Sequence, residues 1–190
     1  MKLASDIGAD AFHVFLLVPT GRARDMAGQE MERDEYEETL LEFYRLARTS
    51  HLETKVTCAP QYYRILRQQA QAEGVEVTEQ NFGLNARTRG CLGGLSFVFV
   101  SHRGDLQPCG YFDVQAGNIR ERAFADLWEN APLFNELRTF SLLEGKCGKC
   151  DFLRFCGGCR ARAYEHTGRY MAEEPYCAYV PYAMKRKPAG

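Results

Sequence analysis

The sequence predicts an α/β chain in two parts: alternating strands and helices first, then a small cysteine-rich α+β region. Three observations predict it. Apolar residues switch between strand-like runs and helical spacing over the first 84 positions. The texture then changes to short β-runs, glycine turns and short helices. Seven of the eight cysteines fall between residues 91 and 177.

The elements follow in order. Residues 12–19, Phe-His-Val-Phe-Leu-Leu-Val-Pro, form a nearly continuous apolar run, the pattern of a strand covered on both faces. Thr20 to Arg24 read as a loop. From Glu35 to Thr49, Tyr36, Leu40, Phe43, Tyr44 and Ala47 recur at helical spacing, with Asp34 as N-cap and Glu37 three places on. Lys55 to Cys58 read as a short strand. Pro60 opens a helix running from Gln61 to about Glu73 and closed by Gly74, in which Tyr62 and Tyr63 belong to the core face. Strand, helix, strand, helix is the order of parallel α/β structure. Two strands are too few to close a barrel, so the expectation is the tail of a longer protein.

After Leu84, Gly90-Cys91-Leu92-Gly93-Gly94 is a flexible turn. Leu95 to Ser101 form a β-run, His102 to Asp105 a turn, and Leu106-Gln107-Pro108 lead to Cys109, giving a hairpin with a cysteine at each end. Residues 123–130 are helical, with Phe124, Leu127 and Trp128 on one face. Pro132 interrupts before a short helix over Leu133 to Arg138, and Arg160 to His166 are helical by propensity. Met184 to Gly190 are a basic, frayed tail.

Composition narrows the function classes. A hydrophobic content of 45% with twelve Phe and ten Tyr supports a packed core. A net charge of −1 makes no electrostatic case for nucleic acid. No apolar run approaches the roughly eighteen residues needed to cross a bilayer, and no secretory signal pattern opens the chain. Reduced, metal-bound thiolates in a cytoplasmic protein are therefore expected over four disulfides.

The chemistry lies in Cys147-x2-Cys150-x5-Cys156-x2-Cys159, with Cys177 eighteen residues later and Cys91 and Cys109 upstream. Thiolates at such spacing hold zinc or an iron–sulfur cluster. Zinc suits four sulfurs, but seven cysteines are nearly enough for two four-thiolate sites. Spacing alone leaves both metals open, and with zinc a non-enzymatic interaction module.

The full pattern, Cys91-x12-Gly104-x4-Cys109, the tight array and Cys177, resembles the SPASM domain, which carries auxiliary [4Fe–4S] clusters in radical S-adenosylmethionine (SAM) enzymes. The family usually has three residues between its fifth and sixth cysteines, where this chain has Gly157-Gly158. A narrower resemblance rests on Val18 to Arg22, Thr57 to Ile65, Thr88 to Gly94, Gln107 to Tyr111 and Cys156 to Tyr164. These segments are similar to radical SAM enzymes of the alternative, siroheme-dependent heme pathway, the heme b synthase family above all. The heme d1 biosynthesis proteins and the peptide-modifying SPASM enzymes are neighbours.

That resemblance implies a fold: residues 1–84 as the last strands and helices of a partial TIM barrel, 85–183 as the SPASM domain, and 184–190 as the tail. It also implies a reaction. Oxidative decarboxylation of two propionates of iron-coproporphyrin III would give the vinyl groups of heme b. A deoxyadenosyl radical abstracts the propionate β-hydrogen, carbon dioxide leaves, and one electron passes to an acceptor. The Cys-x3-Cys-x2-Cys motif of the SAM-cleaving cluster is absent from this sequence, so the chain alone is expected to be inactive. By the same resemblance Cys91, Cys109 and Cys159 hold a first cluster, and Cys147, Cys150, Cys156 and Cys177 a second. Cys58, the one spare thiolate, stands either as the missing ligand of the first set or in the active site; a buried structural cysteine is the alternative. Arg22 and Arg24 are candidates for a SAM or substrate carboxylate. Arg160 and Arg162 either donate to cluster sulfurs or pack the domain, and His102 is a minor candidate for porphyrin iron. The implied partners are an iron-porphyrin substrate and an electron donor or acceptor protein.

Overall fold

A computed structural model describes residues 1–185. Its first half is built on two parallel strands, β1 (Ala11–Phe15) and β2 (Glu53–Thr57), paired with Val14 opposite Val56. A short helix, α1 (Lys2–Asp6), precedes them. The strands are joined through α2 (Arg33–Thr49), and β2 leads into α3 (Gln61–Ala72).

Both long helices pack on one face of the pair. Tyr36, Leu40, Phe43 and Tyr44 from α2 meet Leu16, Val56, Tyr62, Ile65 and Leu66 in one core. Helical spacing therefore gave the buried face of α2, and Tyr62 and Tyr63 are core residues as expected. The strand was expected to be covered on both faces. In the structure Ala11, His13 and Phe15 are exposed, because helices cover only the Phe12 and Val14 side.

Asp34 is not the N-cap of α2. Glu32 occupies that position, so Asp34 sits in the first turn, where its charge complements the helix dipole. Glu37 is drawn away from the cap into a salt bridge with Arg64 of α3. The expected loop after Thr20 is instead a 3₁₀ helix over Gly21–Gln29.

Two one-turn helices, α4 (Glu79–Phe82) and α5 (Leu84–Arg87), lead into the second half. There β3 (Phe99–Val100), β4 (Asp105–Gln107) and β5 (Gly117–Asn118) form a small antiparallel sheet. The β-run from Leu95 shrinks to two residues, since Leu95, Ser96 and Phe97 turn back to hydrogen-bond the Leu92 carbonyl. Cys91 thus lies in a turn before the hairpin rather than at its end.

Helix α6 (Phe124–Asn130) buries Leu127, whereas Phe124 is exposed and not on the buried face. Pro132 opens α7 (Pro132–Arg138) at its first position, where a missing N–H costs nothing. A 3₁₀ turn over Phe140–Leu142 and α8 (Gly145–Gly148) carry the chain into the cysteine array. Helix α9 (Arg160–Thr167) follows, and α10 (Tyr182–Lys185) includes Met184 and Lys185 of the expected tail. The remaining tail residues, 186–190, lie outside the described ones.

The second core joins Leu106, Phe112, Leu127, Phe134 and Leu137 to Cys159 and Ala161, with Cys58 and Cys109 against it. Cys58 at the end of β2 belongs to this core while its neighbour Ala59 belongs to the first, so the two cores meet there. The architecture is mixed α/β with two small sheets and a cysteine-rich region.

Candidate metal centre

All eight cysteines are unpaired thiols; four of them line one recess, and the other four lie near enough to influence one another's ionisation. Cys147, Cys150, Cys156 and Cys177 line one recess together with Gln61, Arg64, Lys146 and Glu174. Local structure explains the grouping. Cys150 turns back on Cys147, its N–H reaching the Cys147 carbonyl at 3.3 Å. The Cys156 N–H bonds the Phe152 carbonyl at 2.9 Å, which folds the five-residue spacer into a compact turn. Gly157 and Gly158 both adopt positive φ, and a Cβ on Gly158 would come within 3.2 Å of the Cys147 sulfur. Two glycines therefore let the chain close over the sulfurs, in the two-residue spacing where the family usually has three.

The sulfurs of this recess already receive donors. Backbone N–H groups of Phe152, Gly158 and Glu174 donate to Cys150, Cys156 and Cys147 at 3.4, 3.4 and 3.3 Å. Arg160 donates Nη2 to the Cys147 sulfur at 3.6 Å and anchors itself on the Tyr170 and Ala172 carbonyls. Burial pushes the Cys156 thiol well above its usual range. It also pushes Cys177 up to about 11, against the pull of Arg64 and Lys146.

The second set is Cys58, Cys91, Cys109 and Cys159. Charge on Cys159, Cys109 and Cys91 opposes ionisation of Cys58, and Cys109 and Cys159 are each opposed by Cys91. Burial is the larger cause in each case, raising Cys109 to about 12 and Cys159 to about 11. Cys58 has φ of 61°, a left-handed conformation rare for a side chain with a Cβ. Its carbonyl is held by the Tyr36 hydroxyl at 3.1 Å and Arg162 Nη2 at 3.0 Å.

Arg162 is wholly buried and organises this region. It donates to the carbonyls of Leu17 and Cys58 and to the carboxylate of Glu174, and lies 3.7 Å from Glu30. Glu174, itself 1% exposed, links the two sets: its carboxylate accepts the Cys159 N–H at 2.7 Å while its own N–H donates to the Cys147 sulfur. Gly90 keeps the sets in register from the other side. Its N–H and that of Cys91 bond the Phe155 and Cys156 carbonyls, and a Cβ there would meet the Cys156 carbonyl at 2.6 Å.

The donor set suits a four-thiolate cluster. Gln61 is completely buried beside the recess, yet neither its amide oxygen nor its amide nitrogen has a hydrogen-bond partner among the described residues. An unpartnered buried amide is costly unless something in the recess engages it. Among the described residues no three His, Cys, Asp or Glu side chains lie close enough to hold a single metal ion.

The remaining candidates are more scattered. Arg24 is engaged by Glu165 through Nε and Nη2, so it would have to leave that partner to bind a carboxylate. Arg22 is exposed on the 3₁₀ helix, and among the described residues it forms no ion pair. His102 is exposed in its turn, and its carbonyl accepts from Arg120. Sequence reasoning missed Arg64, Lys146, Glu174, Glu30 and Gln61. Only Lys146 and Glu174 had a signal, lying next to Cys147 and three residues before Cys177.

Residues 91–151 match the family model described as an iron–sulfur cluster-binding domain, SPASM. The match contains Cys91, Cys109, Cys147 and Cys150, and the later cysteines lie beyond it. An AdoMet-dependent heme synthase of Oleidesulfovibrio alaskensis is 50% identical over 188 residues, covering 99% of this chain and 48% of that protein. One from Methanosarcina barkeri is 51% identical over 180 residues, covering 95% and 51%. A PqqA peptide cyclase of Granulibacter bethesdensis is 32% identical over 102 residues, covering 50% and 27%. The chain spans about half the length of the heme synthases it matches. It carries a SPASM iron–sulfur cluster-binding domain and is homologous, over nearly its whole length, to AdoMet-dependent heme synthases.

Proposed function

We propose that this chain is the auxiliary-cluster half of a radical SAM heme synthase, which converts two propionates of iron-coproporphyrin III to vinyl groups. On this reading residues 1–84 are the closing strands and helices of a partial barrel, and residues 85–183, with Cys58 from the barrel part, hold two [4Fe–4S] clusters. Cys147, Cys150, Cys156 and Cys177 are the ligands of one, and Cys58, Cys91, Cys109 and Cys159 of the other. The observation that carries the reading is the division of all eight thiols into two sets of four, one of them beside the orphaned amide of Gln61.

Clusters so held supply one-electron transfer at potentials set by burial and hydrogen bonding to sulfur. The protein's own part follows from its residues. Burial in the second core excludes water from Cys159, and Glu174 fixes the backbone of that cysteine against the sulfur of Cys147. Arg162 holds the carbonyls of Leu17 and Cys58, tying the ends of both barrel strands to the cysteine-rich region. An electron released on one side would thus meet a rigid, largely dry region joining both thiol sets.

The test is to count iron, acid-labile sulfide and zinc per chain after anaerobic reconstitution. About eight irons with matching sulfide is the expected result. Near-zero iron with one or two tightly held zincs would overturn the reading and leave a zinc module in its place.

A further inference from the structure

A cavity larger than the thiol recess lies beside it and is lined by no cysteine. It runs along the free edge of β2, has a volume of about 590 Å³, and is walled by α3, the segment 84–96 and the turn before Cys156. That size is ordinary for a small-molecule site. Five of its lining side chains are cationic (Lys55, Arg67, Arg87, Arg89 and Arg154), and one, Glu53, is acidic. A chain with net charge −1 does not gather cations by composition alone.

Two buried arginines elsewhere in the molecule have carboxylates, while a third, Arg160, is satisfied by carbonyls and the Cys147 sulfur. Arg64 is paired with Glu37 and Arg162 with Glu174, and in both the guanidinium is held more firmly protonated than usual. Arg67 and Arg89 differ. Neither has a carboxylate partner among the described residues. Arg67 is steadied by the Tyr63 carbonyl and by the ring of Phe155, 3.8 Å away. Arg89 lies over Phe140 at 4.4 Å, and its Nε is buried without a partner. Lys55 and Arg154 have no ion pair among the described residues either, whereas Arg87 is paired with Glu79. Leu84, Leu92 and Phe155 give the same cavity an apolar wall.

Four unmatched cations around an apolar wall suit a flat ligand bearing several carboxylates, because arginine forks bind carboxylates in pairs. We propose that this cavity holds the propionate carboxylates of the tetrapyrrole substrate through Lys55, Arg67, Arg89 and Arg154, an assignment that rests on the heme synthase reading. The position fits. Leu92 and Phe155 in its wall are the chain neighbours of Cys91 and Cys156, one from each thiol set.

The test uses the full-length enzyme with its clusters in place. Equilibrium dialysis would compare iron-coproporphyrin III, with four carboxylates, against iron etioporphyrin, with none. Wild-type protein should prefer the tetracarboxylate by about tenfold or more, and Arg67→Gln/Arg154→Gln should lose that preference while its iron and sulfide counts stay unchanged. Arg154→Glu, altering an exposed side chain alone, should weaken the tetracarboxylate in the same sense if the double variant folds poorly. Equal affinity in wild-type and variants overturns the cavity assignment and leaves the functional reading intact. No binding of iron-coproporphyrin III by wild-type protein overturns the functional reading, and this assignment falls with it.

Discussion

The two thiol sets are assembled by different parts of the physics. Three members of the recess set lie within ten residues, where turn hydrogen bonds and two positive-φ glycines hold them close, and Cys177 joins them from farther along the chain. The other set draws Cys58 from the end of a strand, Cys91 and Cys109 from turns, and Cys159 from the start of α9, across about a hundred residues of chain. What holds it is a buried charge network whose hydrogen bonds span 145 residues, from Arg162 to Leu17. One site is written in local spacing and the other in tertiary structure, so damage to the two should look different.

The sharpest way to separate them is to remove one buried thiol from each. Cys156→Ala should leave about four of eight irons, with the remaining cluster carried by the distributed set. Cys159→Ala should leave the recess cluster instead. Iron and sulfide counts with paramagnetic resonance spectra of the reduced proteins would tell the survivors apart. Loss of all iron in both variants would mean the sets do not assemble independently, as their shared contact with Glu174 would then require.

The charge network should give the next largest effect. Arg162→Met leaves Glu174 and Glu30 buried at 1% and 5% side-chain exposure without their cation. Breaking a buried pair from one side costs about 3–5 kcal/mol. Urea unfolding followed anaerobically should show that loss, and Arg162→Met/Glu174→Gln should recover part of it by removing one stranded charge. A fall of under about 1 kcal/mol, the scale of an exposed pair, would show that the network does not hold the distributed set together.

This contrast also explains what the sequence made legible. Helical periodicity gave α2 and α3 and their core residues, because it is decided within a few residues of chain. Cysteine spacing alone grouped Cys159 with Cys147, Cys150 and Cys156, and only the family resemblance put Cys177 in its place. Cys58 was legible only as a leftover thiol, since nothing near Thr57 or Ala59 announces that its strand ends against Cys159. Asp34 was misplaced as a cap because Glu37, its expected partner, answers to Arg64 on another helix. The run from Phe12 to Pro19 looked two-sided because hydrophobicity does not say which faces a neighbour covers. Arg160 and Arg162 were weighed between sulfur donation and packing, and the structure gives Arg160 both roles: it donates to Cys147 and clamps two carbonyls.

The smallest effect should come from Gln61, which belongs to α3 of the first half yet reaches the recess of the second. Its amide is fully buried and unpartnered, so an N–H directed at sulfur is the contact that would satisfy it. A donor to sulfur stabilises the more negative, reduced cluster and raises its potential. Gln61→Leu keeps the volume and removes the donor, so the recess cluster should become harder to reduce. One hydrogen bond of about 1 kcal/mol corresponds to roughly 40 mV in a one-electron couple. A redox titration that resolves both clusters would find the shift in the recess cluster alone. An equal shift in both would mean that Gln61 acts through packing across the two cores, and an unchanged potential would mean that its amide is satisfied by water.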